Sequence, residues 1–400
     1  MRYTIGKLAE IIDGDRGKNY PKQNEFHDTG YCLFLNTGNV TSNGFSFLEN
    51  QFISEDKDKQ LRKGKLQRGD IVYTTRGTVG NAAFYSDTVP YDNIRINSGM
   101  VILRCNNSIV DTRFLYQILK SSYYRPYFKK YCTGSAQPQL PIKNMSTIEI
   151  EIPAIDNQYR IADILSAYDN LIENNQKQIK LLEEAAQRLY KEWFVDLRFP
   201  GYEDMPIVDG VPEGWTRGSL CDLCTLKKDT INAEKMPKDL PYIGLEHLPR
   251  KDFCLSEWGY SSSVNSNKLQ YAENDILFGK IRPYFHKVGF AINNGVCSTD
   301  CIVMKAKRGK WSYLLMTVFS NAFVEYSYQT CKEGSKMPRA DWGQMAIYKV
   351  VMATDTIHQM FEERVKLITQ RIKTLAIENR QLVEARDRLL PKLMNGDIAI

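Results

Sequence analysis

Short loops rich in basic and amide side chains recur along this 400-residue chain. The first half carries Thr75-Arg76-Gly77-Thr78-Val79-Gly80-Asn81, Asn93-Ile94-Arg95-Ile96-Asn97-Ser98 and Gly134-Ser135-Ala136-Gln137-Pro138-Gln139. The second carries Gly279-Lys280-Ile281-Arg282-Pro283-Tyr284-Phe285-His286-Lys287 and Gly334-Ser335-Lys336-Met337-Pro338-Arg339. The chemistry open to these side chains is hydrogen bonding to nucleic acid. Arg and Lys donate to guanine O6 and N7, while Asn and Gln pair with adenine N6 and N7. Small Gly and Ser residues let the backbone approach phosphate. The candidate DNA contacts are therefore Arg76, Thr78, Asn81, Arg95, Asn97, Ser135, Gln137 and Gln139 in the first half. In the second half they are Lys280, Arg282, Tyr284, His286, Lys287, Ser335, Lys336 and Arg339. Gly134, Ser135 and Pro138 return as Gly334, Ser335 and Pro338 at an offset of 200, so a loop scaffold is kept while its polar letters change.

Motifs for bond-breaking chemistry are sparse. There is no Gly-x-x-x-x-Gly-Lys-Ser/Thr phosphate loop, no Gly-x-Gly-x-x-Gly dinucleotide fingerprint and no His-Glu-x-x-His. The four histidines, His27, His247, His286 and His358, have no metal-ligand neighbour at usable spacing and read as surface or packed residues. Asp13 with Asp15, and Asp56 with Asp58, lie in polar turn-like stretches and read as solvated loop rather than a nuclease metal centre. The nine scattered cysteines, Cys221-x-x-Cys224 and Cys297-x-x-x-Cys301 included, read as reduced core residues rather than a zinc site. No catalytic or metal-binding residue is expected.

Two long helices are expected to position the loops. Residues 156–196 contain no proline or glycine. Their apolar positions step by alternating 4 and 3, a heptad seam with one polar interruption at Asn175. The last fifty residues repeat the pattern, with Asn379 and Arg386 as polar members. Antiparallel pairing with Asn175 facing Asn379 makes opposed residue numbers sum to 554. Leu165 then meets Leu389, Ile172 meets Leu382, Leu182 meets Ile372, Leu189 meets Val365 and Trp193 meets Phe361. Facing amides would satisfy each other, and an Asn in such a seam commonly specifies register. Residues 154–196 would span about 64 Å as one helix.

Each helix follows a block of mixed α/β grammar. Strands are expected at 70–75, 99–104, 146–152, 275–279, 286–292 and 345–352, and helices at 111–121 and 311–323. The chain therefore divides into 1–152, 153–198, 199–352 and 353–400, in the order block, helix, block, helix. The third segment opens with a linker at 199–214 that holds three prolines, three glycines and four acids. Net charge is +6, and the segments carry +5, −2, +2 and +1 in chain order, so the blocks are the basic parts. That balance is compatible with a polyanionic partner. No stretch approaches the length of a membrane span, and a cytoplasmic location is expected.

These features together resemble the specificity (S) subunits of type I restriction–modification enzymes. The resemblance runs along the whole chain. It is carried by the two-fold block–helix order, the run Leu-Tyr-Lys-Glu-Trp-Phe-Val-Asp-Leu-Arg-Phe-Pro-Gly at 189–201, and Gly-Lys-Ile-Arg-Pro-Tyr at 279–284. The paired Gly-Ser loops, the terminal Leu-Leu-Pro-Lys-Leu-Met-Asn-Gly at 389–396, and Asp-Gly-Asp-Arg-Gly-Lys-Asn-Tyr-Pro at 13–21 add to it. The resemblance implies an α+β fold: two mixed α/β target recognition domains separated by two long antiparallel coiled-coil helices. It also implies a non-catalytic DNA-reading subunit that docks two methyltransferase (M) and two motor–nuclease (R) subunits. No cofactor is implied for this chain, because S-adenosylmethionine, Mg and ATP belong to the partners. The first block departs from the Gly279–Arg282 pattern, with Arg76-Gly77-Thr78-Val79-Gly80 in its place, which separates the contact roles of the two loops.

Overall fold

Runs of β-branched and aromatic residues form short buried strands in two separate units of the computed structural model, which describes residues 1–134, 137–331 and 336–398. One unit is Met1–Leu171 with Leu382–Ile400, and the other is Ile172–Gln381. The boundaries thus fall inside the long helices rather than at their ends, because each helix end packs with the block beside it.

In the first unit, four antiparallel strands lie in the order Ala9–Asp13, Met100–Cys105, Ile71–Thr74 and Ala82–Phe84. A smaller sheet sets Cys32–Leu35 between Phe52–Ile53 and a parallel neighbour, Ile94–Ile96. Arg2–Thr4 pairs with Glu149–Glu151, which brings the block's start to its end. Ile71–Thr74 is buried at every position, so it reads as a continuous apolar run and not as an alternating one. The helix Thr112–Lys120 covers the larger sheet. It starts at Asp111, whose carboxylate accepts the Phe114 N–H at 2.9 Å.

The second unit repeats this plan. Cys224–Lys227, Cys301–Ala306, Ile276–Gly279 and Val288–Ala291 follow the same order, extended by a parallel strand, Cys254–Leu255. Pro241–Ile243 and Gly295–Cys297 form the parallel pair, and Thr216–Ser219 joins Lys349–Met352. Trp311–Phe319 is the counterpart of the covering helix. Two expected strands are shorter than read. Residues 146 and 345–346 belong to short helices, Ile142–Ser146 and Trp342–Ala346, and the strands begin only at Glu149 and Lys349. Asp341 caps the second of these helices through the Gln344 N–H, a local bond that outweighs the β-branched composition.

The first long helix is Ile155–Tyr190, closed by a single π turn at Lys191–Val195, and the second is Asp355–Asn395. A π turn changes the angular step between neighbours. Consecutive Trp193 and Phe194 are accordingly both buried, although the heptad pattern assigns only Trp193 to the seam. In the second unit the Trp193 and Phe361 rings lie 5.7 Å apart, and Phe194 stands edge-on to Phe361 at 4.9 Å. Leu182, Leu189, Val365 and Ile372 share that unit's core. Nδ2 of Asn175 and Oδ1 of Asn379 are buried without a hydrogen-bond partner. In the first unit, Leu165 and Leu389 pack in one core with Phe114, Ile118, Leu390 and Leu393.

The polar seam member Arg386 belongs to a buried network within the first unit. Its Nη1 donates to Asp169 at 2.8 Å, and its Nη2 donates to Asp387 at 2.8 Å. Asp169 also accepts from Gln117 at 2.5 Å and Lys120 at 2.7 Å. Burial by itself would raise the Asp169 carboxyl, but Lys120 and Arg386 outweigh burial and hold it below its ordinary range.

Candidate nucleic-acid interface

Three loops meet in the first unit because a central strand ends there and its last carbonyls need partners. Leu140 N–H donates to the Thr75 carbonyl at 2.9 Å, and Thr75 N–H donates to the Gly99 carbonyl at 2.9 Å. Arg76 stands opposite Gln139 in an isolated antiparallel bridge. The Gly-Ser loop closes on itself through Thr133 and Gln139, which exchange backbone bonds of 2.8 and 2.9 Å. Gly134, at φ 84, sits in the left-handed region at the start of this turn.

The second unit builds the same junction. Ala340 N–H donates to the Lys280 carbonyl at 2.9 Å, and Lys280 N–H donates to the Asp300 carbonyl at 2.8 Å. Arg282 N–H donates to the Pro338 carbonyl at 2.8 Å, and Ile281 stands opposite Arg339. The backbone bonds therefore equate Thr75 with Lys280, Gly99 with Asp300, Gln139 with Arg339, and Arg76 with Ile281. The offset at the hairpin loop is 205, not the 200 of the Gly-Ser loop, which hides the correspondence in the sequence. Arg282 and His286 hold left-handed φ values of 52 and 53 on either side of Pro283–Phe285. Non-glycine residues in that region store local strain and cluster at functional sites.

The expected contacts divide by exposure. Thr78, Gln137 and Gln139 are exposed in the first unit, as are Tyr284, Lys336 and Arg339 in the second; Arg76, Asn97, Lys280 and Arg282 are half-buried. Ser135 and Ser335 lie outside the described residues. Three of the sixteen expected contacts, Arg95, Asn81 and His286, are buried and are corrected here, and Lys287 is half-buried. Arg95 is 5% exposed and its guanidinium makes four hydrogen bonds, with Nε donating to the Asp58 carboxylate at 2.5 Å and Nη1 and Nη2 to the carbonyls of Lys63, Asp58 and Leu61. Ile94 and Ile96 line one face of this strand and Arg95 the other, and all three are buried. Asn81 is buried and donates to the Val40 carbonyl at 3.0 Å. His286 is buried, bonds the Phe319 carbonyl at 2.7 Å through Nε2, and is drawn down to about 4 by burial, so it is a neutral brace for its loop. Lys287 spends its ammonium on the Leu245 carbonyl.

One residue of this junction escaped the sequence. Asp300 lies in the turn between two strands, and its Oδ1 is 3.2 Å from Nη1 of Arg339. Thirty-nine residues separate the two, and no sequence spacing announces the pair. Among the described residues no group of His, Cys, Asp and Glu is placed to hold a metal ion, and no helix is long and apolar enough to cross a membrane.

The two mixed α/β units carry the same loop junction with different side chains on it. Residues 1–184 match the family described as the type I restriction modification DNA specificity domain. The chain is 24% identical to the HindI specificity subunit of Haemophilus influenzae, over 96% of this chain and 98% of that one. It is also 24% identical to the MjaIX specificity subunit of Methanocaldococcus jannaschii, over 87% and 82% of the two chains. The fold is shared with the crystal structure of the S subunit of a type I system from M. genitalium, at a TM-score of 0.53 and 15% identity over 98% of this chain and 96% of that one. Residues 1–184 thus match the specificity-domain family, and the chain as a whole is similar to specificity subunits of type I restriction enzymes.

Proposed function

We propose that this subunit reads a split, asymmetric DNA site, one half through each loop junction, and docks M and R subunits that perform the chemistry. The observation that carries this reading is the junction itself: one backbone scaffold, built twice, with Gln139 and Gly99 in one copy and Arg339 and Asp300 in the other. A kept scaffold with changed letters is what two readers of different sequences need. The long helices act as an antiparallel spacer that sets the half-sites roughly 34 Å apart, one duplex turn. Two M and two R subunits assemble around them in the cytoplasm. S-adenosylmethionine, Mg and ATP are bound by those partners, and adenine methylation is theirs.

Exchanging residues 199–352 for the corresponding segment of another specificity subunit tests the reading. One half of the site recognised by the assembled methyltransferase should change and the other half should persist, as read by mapping methylated adenine in cellular DNA. Loss of both halves would defeat the idea of independent readers. Binding to random duplex should also fall about 10³-fold between 50 and 200 mM salt if six or more phosphates are contacted. A flat salt series would defeat DNA binding itself.

A further inference from the structure

We propose that Arg339 reads a guanine in the half-site of the second unit, and that Asp300 is the positioning residue that aims it. This rests on the reading above and names the base that one junction recognises.

The geometry supplies the argument. Arg339 sits between two backbone bonds, Arg282 N–H to the Pro338 carbonyl and Ala340 N–H to the Lys280 carbonyl, so the root of its side chain is fixed. Asp300 is fixed by the same residue, since Lys280 N–H donates to its carbonyl at 2.8 Å, and its own N–H donates to Ser298 Oγ at 3.1 Å. Lys280 therefore ties together the backbones that carry Asp300 and Arg339, and on them the carboxylate lies 3.2 Å from the guanidinium. The Arg339 side chain remains 57% exposed and that of Asp300 32% exposed, so the pair faces solvent.

Asp300 is an acid bonded through its backbone to Lys280 and paired through its side chain with Arg339. An unpaired carboxylate there would repel phosphate; paired, its charge is neutralised and its remaining effect is to hold Arg339 in one rotamer. Arginine has five N–H donors in a planar fork. Asp300 faces Nη1, which leaves donors on the other edges for a base. Guanine is the base that offers two adjacent acceptors, O6 and N7, in the major groove, whereas adenine offers one acceptor beside a donor. The first unit differs at both places: Gln139, a donor and acceptor together, stands opposite Arg76, and Gly99 has no carboxylate. Its junction is fitted to adenine, which makes the two half-sites unlike in kind.

The test selects bound sequences from a randomised duplex library with the full-length chain and with Asp300→Ala, Arg339→Gln, Arg339→Lys and Lys336→Ala. The wild-type chain should enrich a two-part motif with an invariant guanine in one part. Asp300→Ala and Arg339→Gln should each relax that same position about tenfold or more and leave the rest of the motif intact. Arg339→Lys should not restore it, because an ammonium lacks the fork, and Lys336→Ala should weaken all sequences alike. Equal thermal midpoints for the variants would exclude unfolding as the cause. The inference is overturned if Asp300→Ala leaves the guanine position unchanged, or if Arg339→Gln weakens every sequence uniformly, as loss of a phosphate contact would. A wild-type chain that enriches no motif would instead overturn the DNA-reading function on which the inference rests.

Discussion

Asp169→Ala is expected to destabilise the first unit by about 3–5 kcal/mol, the cost of leaving a buried charge without its counter-ion. The size of the effect follows from what Asp169 holds. It is the common acceptor for Gln117 and Lys120 on the covering helix and for Arg386 on the second long helix, at 2.5, 2.7 and 2.8 Å. The Lys120 and Arg386 side chains are 6% and 9% exposed, so neither ammonium nor guanidinium can regain water without opening the packing. Asp387 compensates only in part, because Ser122 Oγ already donates to it at 2.5 Å. Asp163→Ala is the control. Its carboxylate pairs with Arg113 at 2.7 Å but is 65% exposed, and exposed pairs contribute about 0–1 kcal/mol. Urea unfolding of the two variants should separate them clearly. A cost below about 1 kcal/mol for Asp169→Ala would mean that the network is solvated or redundant.

Glu183→Gln is expected to stabilise the second unit at alkaline pH by several kcal/mol and to change little near pH 4. Glu183 is fully buried on the first long helix. Its Oε1 accepts the Phe253 N–H at 2.6 Å, while its Oε2 has no hydrogen-bond partner. Burial, and then the nearby Asp252 carboxylate, push it up to about 8 from an ordinary 4.5. The sign follows from proton counting. Below pH 4.5 the folded and unfolded chains both carry the proton, and the group is neutral to stability. Between 4.5 and 8 the folded chain keeps a proton that the unfolded chain has lost, so stability falls as pH rises, by about 1.4 kcal/mol for each unit of pKa difference. Asp252, also raised by burial, adds to the same slope. His358 works in the opposite direction. It is buried between Phe194 and Tyr313 and lowered to about 4, so its share of stability is present above pH 6.5 and lost as pH falls toward 4. The His358 slope opposes the carboxyl slope between 4.5 and 6.5, and from 6.5 to 8 the Glu183 slope runs without that opposition. Denaturation of wild type and Glu183→Gln across pH 4–9 should therefore show curves that diverge upward through pH 8. Parallel curves would show that Glu183 is ionised in the folded chain.

The heptad seams are legible because helical periodicity is a local property. Trp193, Leu189, Leu182, Val365 and Phe361 take their inward places as spaced. Phe194 was hidden because a π turn shifts the face by one residue, and nothing in Lys-Glu-Trp-Phe-Val announces it. The contact loops were legible as loops, since Gly, Ser and Pro mark turns whatever surrounds them. Their individual side chains were not. Arg95 and Asn81 are polar letters in the right neighbourhood, yet Asp58 and the Val40 carbonyl claim them from elsewhere in the chain.

By itself the sequence determined that the chain holds two like blocks and two heptad helices, and that basic and amide side chains recur on its loops. Periodicity, turn chemistry and repetition are properties of neighbouring residues and survive without a fold. Only the tertiary structure decided which loops meet, that Gly99 and Asp300 occupy equivalent places, and which cations face solvent. Those outcomes depend on hydrogen bonds between segments distant in the chain, such as Lys280 with Asp300 and Ala340, and on the burial that turns a charged side chain from a reader into a brace.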